Sequence, residues 1–196
     1  MGKEIEIKLS AEGPTQLQAA YDRVKAEAMQ AEERTIAMHT RYFDTPEGVL
    51  RERKWTLRTR QENEVNVLTC KTKGENHCRG EWNLKRDNDN EAPMQRELQA
   101  LVADGAPELL LTLGSLRVTC EAEFTRQAAM LTMADGTKIE LAADVGVLRG
   151  RAEEEKLCEL ELELYGGSYD IMLWLAKETG LSEETLSKAA RAMRLR

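Results

Sequence analysis

Glu4-Ile5-Glu6-Ile7-Lys8, followed by Leu9, alternates strictly between charged and apolar residues. A two-residue period is that of a β-strand, which places Glu4, Glu6 and Lys8 on one face and Ile5, Ile7 and Leu9 on the other. Two carboxylates and an ammonium on one face suit a wet strand surface. They suit equally the wall of a cavity that holds metal ions and an anion. A second stretch mirrors the first: Glu159, Glu161 and Glu163 alternate with Leu160, Leu162 and Leu164 in a strand expected over residues 156–164.

Between these two acidic strands the sign reverses. Arg58 and Arg60 share a face opposite Leu57, Lys71 and Lys73 share one at the end of the next expected strand, and Arg79 to Leu84 alternates charged with neutral or apolar residues. Five cations on successive strands repel one another unless anions lie between them. The pattern therefore asks for a polyanionic ligand, the alternative being a solvated sheet laced with salt bridges.

The whole chain is acidic, with 28 Lys and Arg against 35 Asp and Glu and a formal net charge of −7. That balance argues against a general binder of nucleic-acid polymers or anionic membranes, so any basic site must be concentrated. The 196 residues suit one domain, 1–196. Apolar runs of a few residues fall far short of the roughly 20 that a membrane span needs. The first residues carry no apolar signal-peptide core, so a cytoplasmic location is expected. Cys70, Cys78, Cys120 and Cys158 form no C-x-x-C pair, and His39 and His77 are the only histidines, which disfavours zinc. A metal here would be a hard cation held by oxygen, Mg²⁺ or Mn²⁺.

The other elements are packing elements. Pro14 opens a helix that runs to about Glu27, a strand covers residues 36–44, and an apolar stripe from Met94 to Val102 marks a second helix before the apolar 109–113 segment. Strands are expected over 116–125, 129–133 and 138–145, with a hairpin turn at Ala134-Asp135-Gly136-Thr137. Asp144 shares a face with Glu140, and Glu153-Glu154-Glu155 reads as a solvated turn. Ser168 caps a helix bearing Ile171, Met172 and Leu175, and Ser182 a short last one on which Lys188 and Arg191 stand three apart.

Taken in order, these residues resemble the CYTH family of triphosphate tunnel metalloenzymes, and most of all its bacterial inorganic triphosphatases. Glu4-Ile5-Glu6-Ile7-Lys8 matches the family's E-x-E-x-K motif. Leu57-Arg58-Thr59-Arg60, Thr69-Cys70-Lys71-Thr72, Arg79-Gly80-Glu81, Arg126, Asp144-Val145-Gly146, Glu159 to Leu164 and Ser187 to Arg191 follow in family order. Ala192-Met193 replaces the Gly-Tyr usual near the end, and residues 1–196 are expected not to include the helical domain fused to some relatives.

The resemblance implies an α+β fold: an antiparallel eight-stranded β-barrel with a charged interior, covered by helices. It implies Lys8, Arg58, Arg60, Lys71, Lys73, Arg79, Arg126 and Lys188 as ligands of a small-molecule triphosphate. Glu4, Glu6, Asp144, Glu159 and Glu161 would hold Mg²⁺ or Mn²⁺, and Lys8, Glu161 and Lys188 form the expected catalytic set. Arg126 falls opposite Glu121 and Glu123 by alternation, so either a bulge intervenes or those glutamates face outward. The expected reaction is metal-dependent hydrolysis of inorganic triphosphate to pyrophosphate and phosphate, since an aromatic content of 5% leaves few base-stacking platforms. Alternatives are a class IV adenylate cyclase, a thiamine triphosphatase, and a non-catalytic module that binds polyphosphate or nucleotide.

Overall fold

The computed structural model describes residues 2–75, 77–87 and 92–195. Eight long strands carry the architecture: β1 (Gly2–Ser10), β2 (Gln30–Asp44), β3 (Thr56–Glu62), β4 (Val65–Lys71), β5 (Cys78–Arg86), β6 (Arg117–Thr132), β7 (Lys138–Arg149) and β8 (Glu154–Gly166). They neighbour one another in the order β5-β4-β3-β2-β6-β7-β8-β1, all antiparallel, and β1 returns to β5 to close a barrel. The N-terminal half of β1 pairs with β5. Its C-terminal end pairs with the two-residue strand β9 (Ser182–Glu183).

Most apolar side chains of these strands point outward and are covered by helices. Against one flank, α1 (Pro14–Ala26) and α4 (Tyr169–Glu178) bury Ile7, Leu9, Leu131, Leu141, Leu160 and Leu162 under Leu17, Tyr21, Val24, Met172 and Leu175. On the opposite flank, α3 (Gln95–Ala103) and a 3-10 turn at Glu108–Thr112 bury Leu57, Leu68, Cys70 and Trp82 under Leu98, Leu101 and Leu110. Each fully buried Leu or Ile contributes about 1.5–3 kcal/mol, so the exterior of the barrel, and not its lumen, is the hydrophobic core. The helix starts follow local chemistry. Pro14 occupies the first turn of α1, where its missing N–H costs nothing, and Ser168 Oγ accepts from the Ile171 N–H.

Several expectations are corrected. Residues 117–132 form one uninterrupted strand and not two, and β2 starts six residues before Ile36. A short helix, α2 (Val49–Glu52), follows Asp44, whose carboxylate accepts from the N–H groups of Leu50 and Arg51. Glu154 and Glu155 lie in β8 and not in a turn. Ser182 lies in β9 and caps nothing; the last helix, α5 (Lys188–Ala192), is capped by Ser187, whose Oγ accepts from the Ala190 N–H.

Gly146 is required where β7 crosses β6. A Cβ built there would lie 2.1 Å from the Glu123 carbonyl oxygen and 2.5 Å from Phe124 Cα, both backbone atoms that cannot step aside. Gly146→Ala is therefore expected to cost about 3 kcal/mol or more, since it forces two paired strands apart. An unchanged urea midpoint would contradict this.

Burial pushes the Cys70 and Cys120 thiols up to about 12. Both are free and buried, and neither is expected to react with a disulfide reagent at pH 8 until the chain unfolds. Each thiol is harder to ionise folded than unfolded. Its stabilisation is complete below the unfolded pKa of about 8.5 and is lost as pH rises toward 12. A stability that stayed flat from pH 8 to 11 would contradict it.

Candidate active site

Strand alternation sends one face of every long strand into a single cavity of about 570 Å³. Nine cations and seven carboxylates line it among the described residues, including Lys8, Arg58, Arg60, Lys71, Arg79, Arg126 and Lys188 with Glu4, Glu6 and Glu161. Signs are interleaved rather than segregated. Arg79 bridges Glu4 and Glu6, Lys71 pairs with Glu4 and lies 3.3 Å from Glu81, and Lys8 lies 3.5 Å from Glu6. These carboxylates relieve the repulsion among cations that the sequence raised.

A carboxylate trio reaches the wall through Glu161, with Asp144 and Glu159 fully buried behind it. Asp144 comes from β7, Glu159 and Glu161 from β8, in the register Asp144 opposite Glu159, and their oxygens lie within 4.8 Å of one another. Arg126 on β6 sits opposite Asp144 and grips it through two parallel bonds of 2.7 Å, while also bonding Glu161. The register of β6 with β7 runs without a shift from Glu121 to Thr132, so no bulge intervenes. Phe124 and Arg126 face the cavity, and Glu121 and Glu123 face outward to Arg41 and Arg149.

One end of the barrel is not charged. Ala189 and Ala192 of α5 pack on Tyr42, Cys120, Ala122, Phe124, Leu148 and Leu157, plugging that end with apolar contacts. The plug carries Lys188 inward. Its ammonium lies 2.9 Å from Asp144 Oδ2 and 2.7 Å from Glu161 Oε1, and it bonds Glu159 Oε1 as well. Arg191, one helical turn on, bonds the other Glu159 oxygen at 3.0 Å and Glu155 at 2.9 Å.

The profile of the CYTH domain matches residues 2–193. The chain belongs to the CYTH domain family. It is 29% identical over 199 aligned residues to an inorganic triphosphatase of Haemophilus influenzae, and the alignment covers 97% of this chain and 54% of that protein. The chain thus spans about half the length of the curated relative it matches. Among solved structures, a proposed adenylate cyclase from Bacillus halodurans superposes with a TM-score of 0.59 at 16% identity, over 95% of this chain and 96% of that one. A proposed adenylyl cyclase from Hippeastrum with a dominant triphosphatase activity superposes with a TM-score of 0.55 at 19% identity, over 97% and 95%. These likenesses show the shared barrel.

Within this CYTH barrel the expected site residues divide. Lys8, Arg58, Arg60, Lys71, Arg79, Arg126 and Lys188 all line the cavity. Lys73 does not. The β4 ladder ends at Lys71 opposite Glu81, so alternation no longer governs Lys73, which is exposed. Asp144, Glu159 and Glu161 come together, whereas Glu4 and Glu6 line the cavity outside that trio, held by Arg79.

Electrostatics follow burial and partners. Burial pushes Glu159 up to about 7, against the pull of Lys188. Burial raises Glu161 too, but Lys188 and Arg126 outweigh it and hold that carboxyl well below the usual range. Burial opposes the Lys188 ammonium, yet Asp144, Glu159 and Glu161 hold its pKa well above that of an ordinary lysine. In Arg58 and Arg60 the buried Nε–H groups have no hydrogen-bond partner.

Away from α5 the cavity opens past Glu140, already placed on the face of Asp144, and past residues that sequence reading did not single out: Arg34, Glu62, Lys85 and Tyr165. Arg34 pairs with Glu140, and Tyr165 is 58% exposed at the rim. Lys85 continues the inward face of Glu81 and Asn83, a signal that alternation does carry. Arg34 shares its face with Ile36 and Met38, which hides it.

Proposed function

We propose that this barrel hydrolyses inorganic triphosphate to pyrophosphate and phosphate with Mg²⁺ or Mn²⁺ as cofactor. One observation carries the reading: Arg58 and Arg60, whose buried Nε–H donors have no partner, line the same cavity as Glu161, the cavity-facing edge of a carboxylate trio with metal-ligand spacing. A buried donor left unmatched costs about 1–3 kcal/mol, and phosphate oxygens are its natural acceptors. The trio offers only oxygen, the donor set of a hard divalent cation.

Asp144, Glu159 and Glu161 would hold the metal, with Glu4 and Glu6 as further candidates; when bound it neutralises phosphate charge and polarises the attacking water. Arg58 and Arg60 fix the register of the phosphate chain through their forked donors. Lys8, Lys71 and Arg79 supply further cations and keep Glu4 and Glu6 oriented. Arg126 holds Asp144 and Glu161 in place by ion pairing, so the trio is preorganised before substrate arrives. Water oxygen adds to a terminal phosphorus as the bridging P–O bond breaks, and pyrophosphate leaves. Such chemistry needs positioning and charge neutralisation more than covalent help.

With Asp144 and Glu159 behind the wall, cations and carboxylates nearly balance. Triphosphate carries up to about five negative charges, and each divalent cation bound beside it offsets two of them.

The triphosphatase of H. influenzae and the Hippeastrum protein support the same reading. A second reading draws on Tyr165, whose exposed ring at the rim gives a stacking surface for an organic triphosphate. Colorimetric phosphate release separates the two. Inorganic triphosphate is expected to be turned over far faster than ATP or thiamine triphosphate, and cyclisation of ATP without triphosphate hydrolysis would overturn the proposal. Binding itself shows in the melting curve: triphosphate at 100 times its dissociation constant should add about 2.7 kcal/mol of stability.

A further inference from the structure

We propose that Lys188 is the resident counter-cation of the carboxylate trio: its ammonium occupies the position a divalent cation takes, and yields it by a swing of the side chain while α5 stays docked. This rests on the metal reading above and goes beyond it. Three carboxylates, Asp144 and Glu159 buried and Glu161 half-buried, have oxygens within 4.8 Å and repel one another; Arg126 pairs with Asp144 and Glu161 and Arg191 with Glu159, and a cation that bridges all three relieves the rest. Lys188 supplies it, touching Asp144 Oδ2 at 2.9 Å, Glu161 Oε1 at 2.7 Å and Glu159 Oε1, at only 7% exposure. Mg²⁺ binds oxygen at about 2.0–2.1 Å, so an ion on this trio would share the same small space with the ammonium. One of the two cations has to leave.

The fold lets the side chain leave without the helix. Arg191 ties α5 to Glu159 Oε2 and Glu155, and Ala189 and Ala192 are fully packed on the barrel wall, all independently of Lys188. Lys188 itself borders the cavity, on a flexible four-carbon stem, with the Phe124 ring 5.5 Å from its Nζ. Swung into the cavity, the same charge faces phosphate. One lysine then neutralises carboxylate in the unloaded barrel and substrate in the loaded one.

The test is Mn²⁺ binding to the triphosphate-free protein by calorimetry, comparing the parent with Lys188→Met and using Glu161→Gln as control. Lys188→Met is expected to bind Mn²⁺ at least about tenfold tighter. Equal or weaker binding that Glu161→Gln abolishes overturns the counter-cation role and leaves the metal site standing. Absence of Mn²⁺ binding to both parent and Lys188→Met overturns the metal reading and the proposal with it. The unaltered protein gives a second reading that needs no folded variant. Acylation of the Lys188 amine, followed by mass spectrometry, should rise when Mn²⁺ is added; unchanged protection with Mn²⁺ bound overturns the proposal.

Discussion

Glu161→Gln is expected to lower triphosphate turnover by about 10²–10³-fold while the barrel remains folded. Glu161 is the carboxylate of the trio that lines the cavity itself, and it touches both Arg126 and Lys188. Against the push of burial, those two cations hold its carboxyl well below the usual carboxylate range. Glutamine keeps the size and one acceptor oxygen but removes the charge that a metal ion and both cations use. The loss should fall on kcat more than on KM, because the phosphate-gripping arginines on β3 are untouched. Activity within about threefold of the parent would remove Glu161 from the proposed site.

A second large effect is expected on substrate capture. Arg58→Ala with Arg60→Ala removes two buried guanidinium groups from adjacent inward positions on β3. Each charge-assisted bond to phosphate contributes about 1.5–3 kcal/mol, so the pair should raise KM by about 10²-fold or more. Burial and the neighbouring Arg58 cation pull the Arg60 pKa down, whereas at Arg58 burial is outweighed by Tyr42, Glu81 and Glu4, which hold its pKa up. The double variant should lose the triphosphate-dependent rise in melting temperature. A retained rise would contradict the assignment of these arginines to phosphate.

Much of this was legible from residue order. Glu4, Glu6 and Lys8 could be placed on one face because a strand's period of two leaves no other choice, and Glu159 and Glu161 followed by the same rule. Arg126 could not be settled that way. Alternation gave its parity relative to Glu121 and Glu123, but only the unbroken register of β6 with β7 shows which parity faces in. The rim was hidden for a different reason. Ile36, Met38 and Val67 face the cavity beside Arg34, Arg60 and Glu62, so the interior is not uniformly charged and a charge-based reading skips it. The same holds at the α5 end, where the inward residues are Tyr42, Ala122, Phe124 and Leu148.

Long-range ion pairs were the least legible. Arg191 and Glu155 are separated by 36 residues, and Glu155 read as part of a solvated turn because three successive glutamates look like a wet loop. Its strand position follows from pairing with Leu148 on β7, which sequence periodicity alone does not reveal. Lys73 failed in the converse way. Its parity matched Lys71, but parity stops having meaning once the ladder ends.

The most direct measurement is ³¹P NMR of inorganic triphosphate incubated with the protein, with Mg²⁺ or Mn²⁺ present and then with both removed by chelation. Metal-dependent hydrolysis in the barrel predicts loss of the triphosphate resonances with pyrophosphate and phosphate appearing in equal amounts, arrested by chelator and by Glu161→Gln. Triphosphate left intact in the presence of either metal, or consumed equally fast by Glu161→Gln, would contradict it.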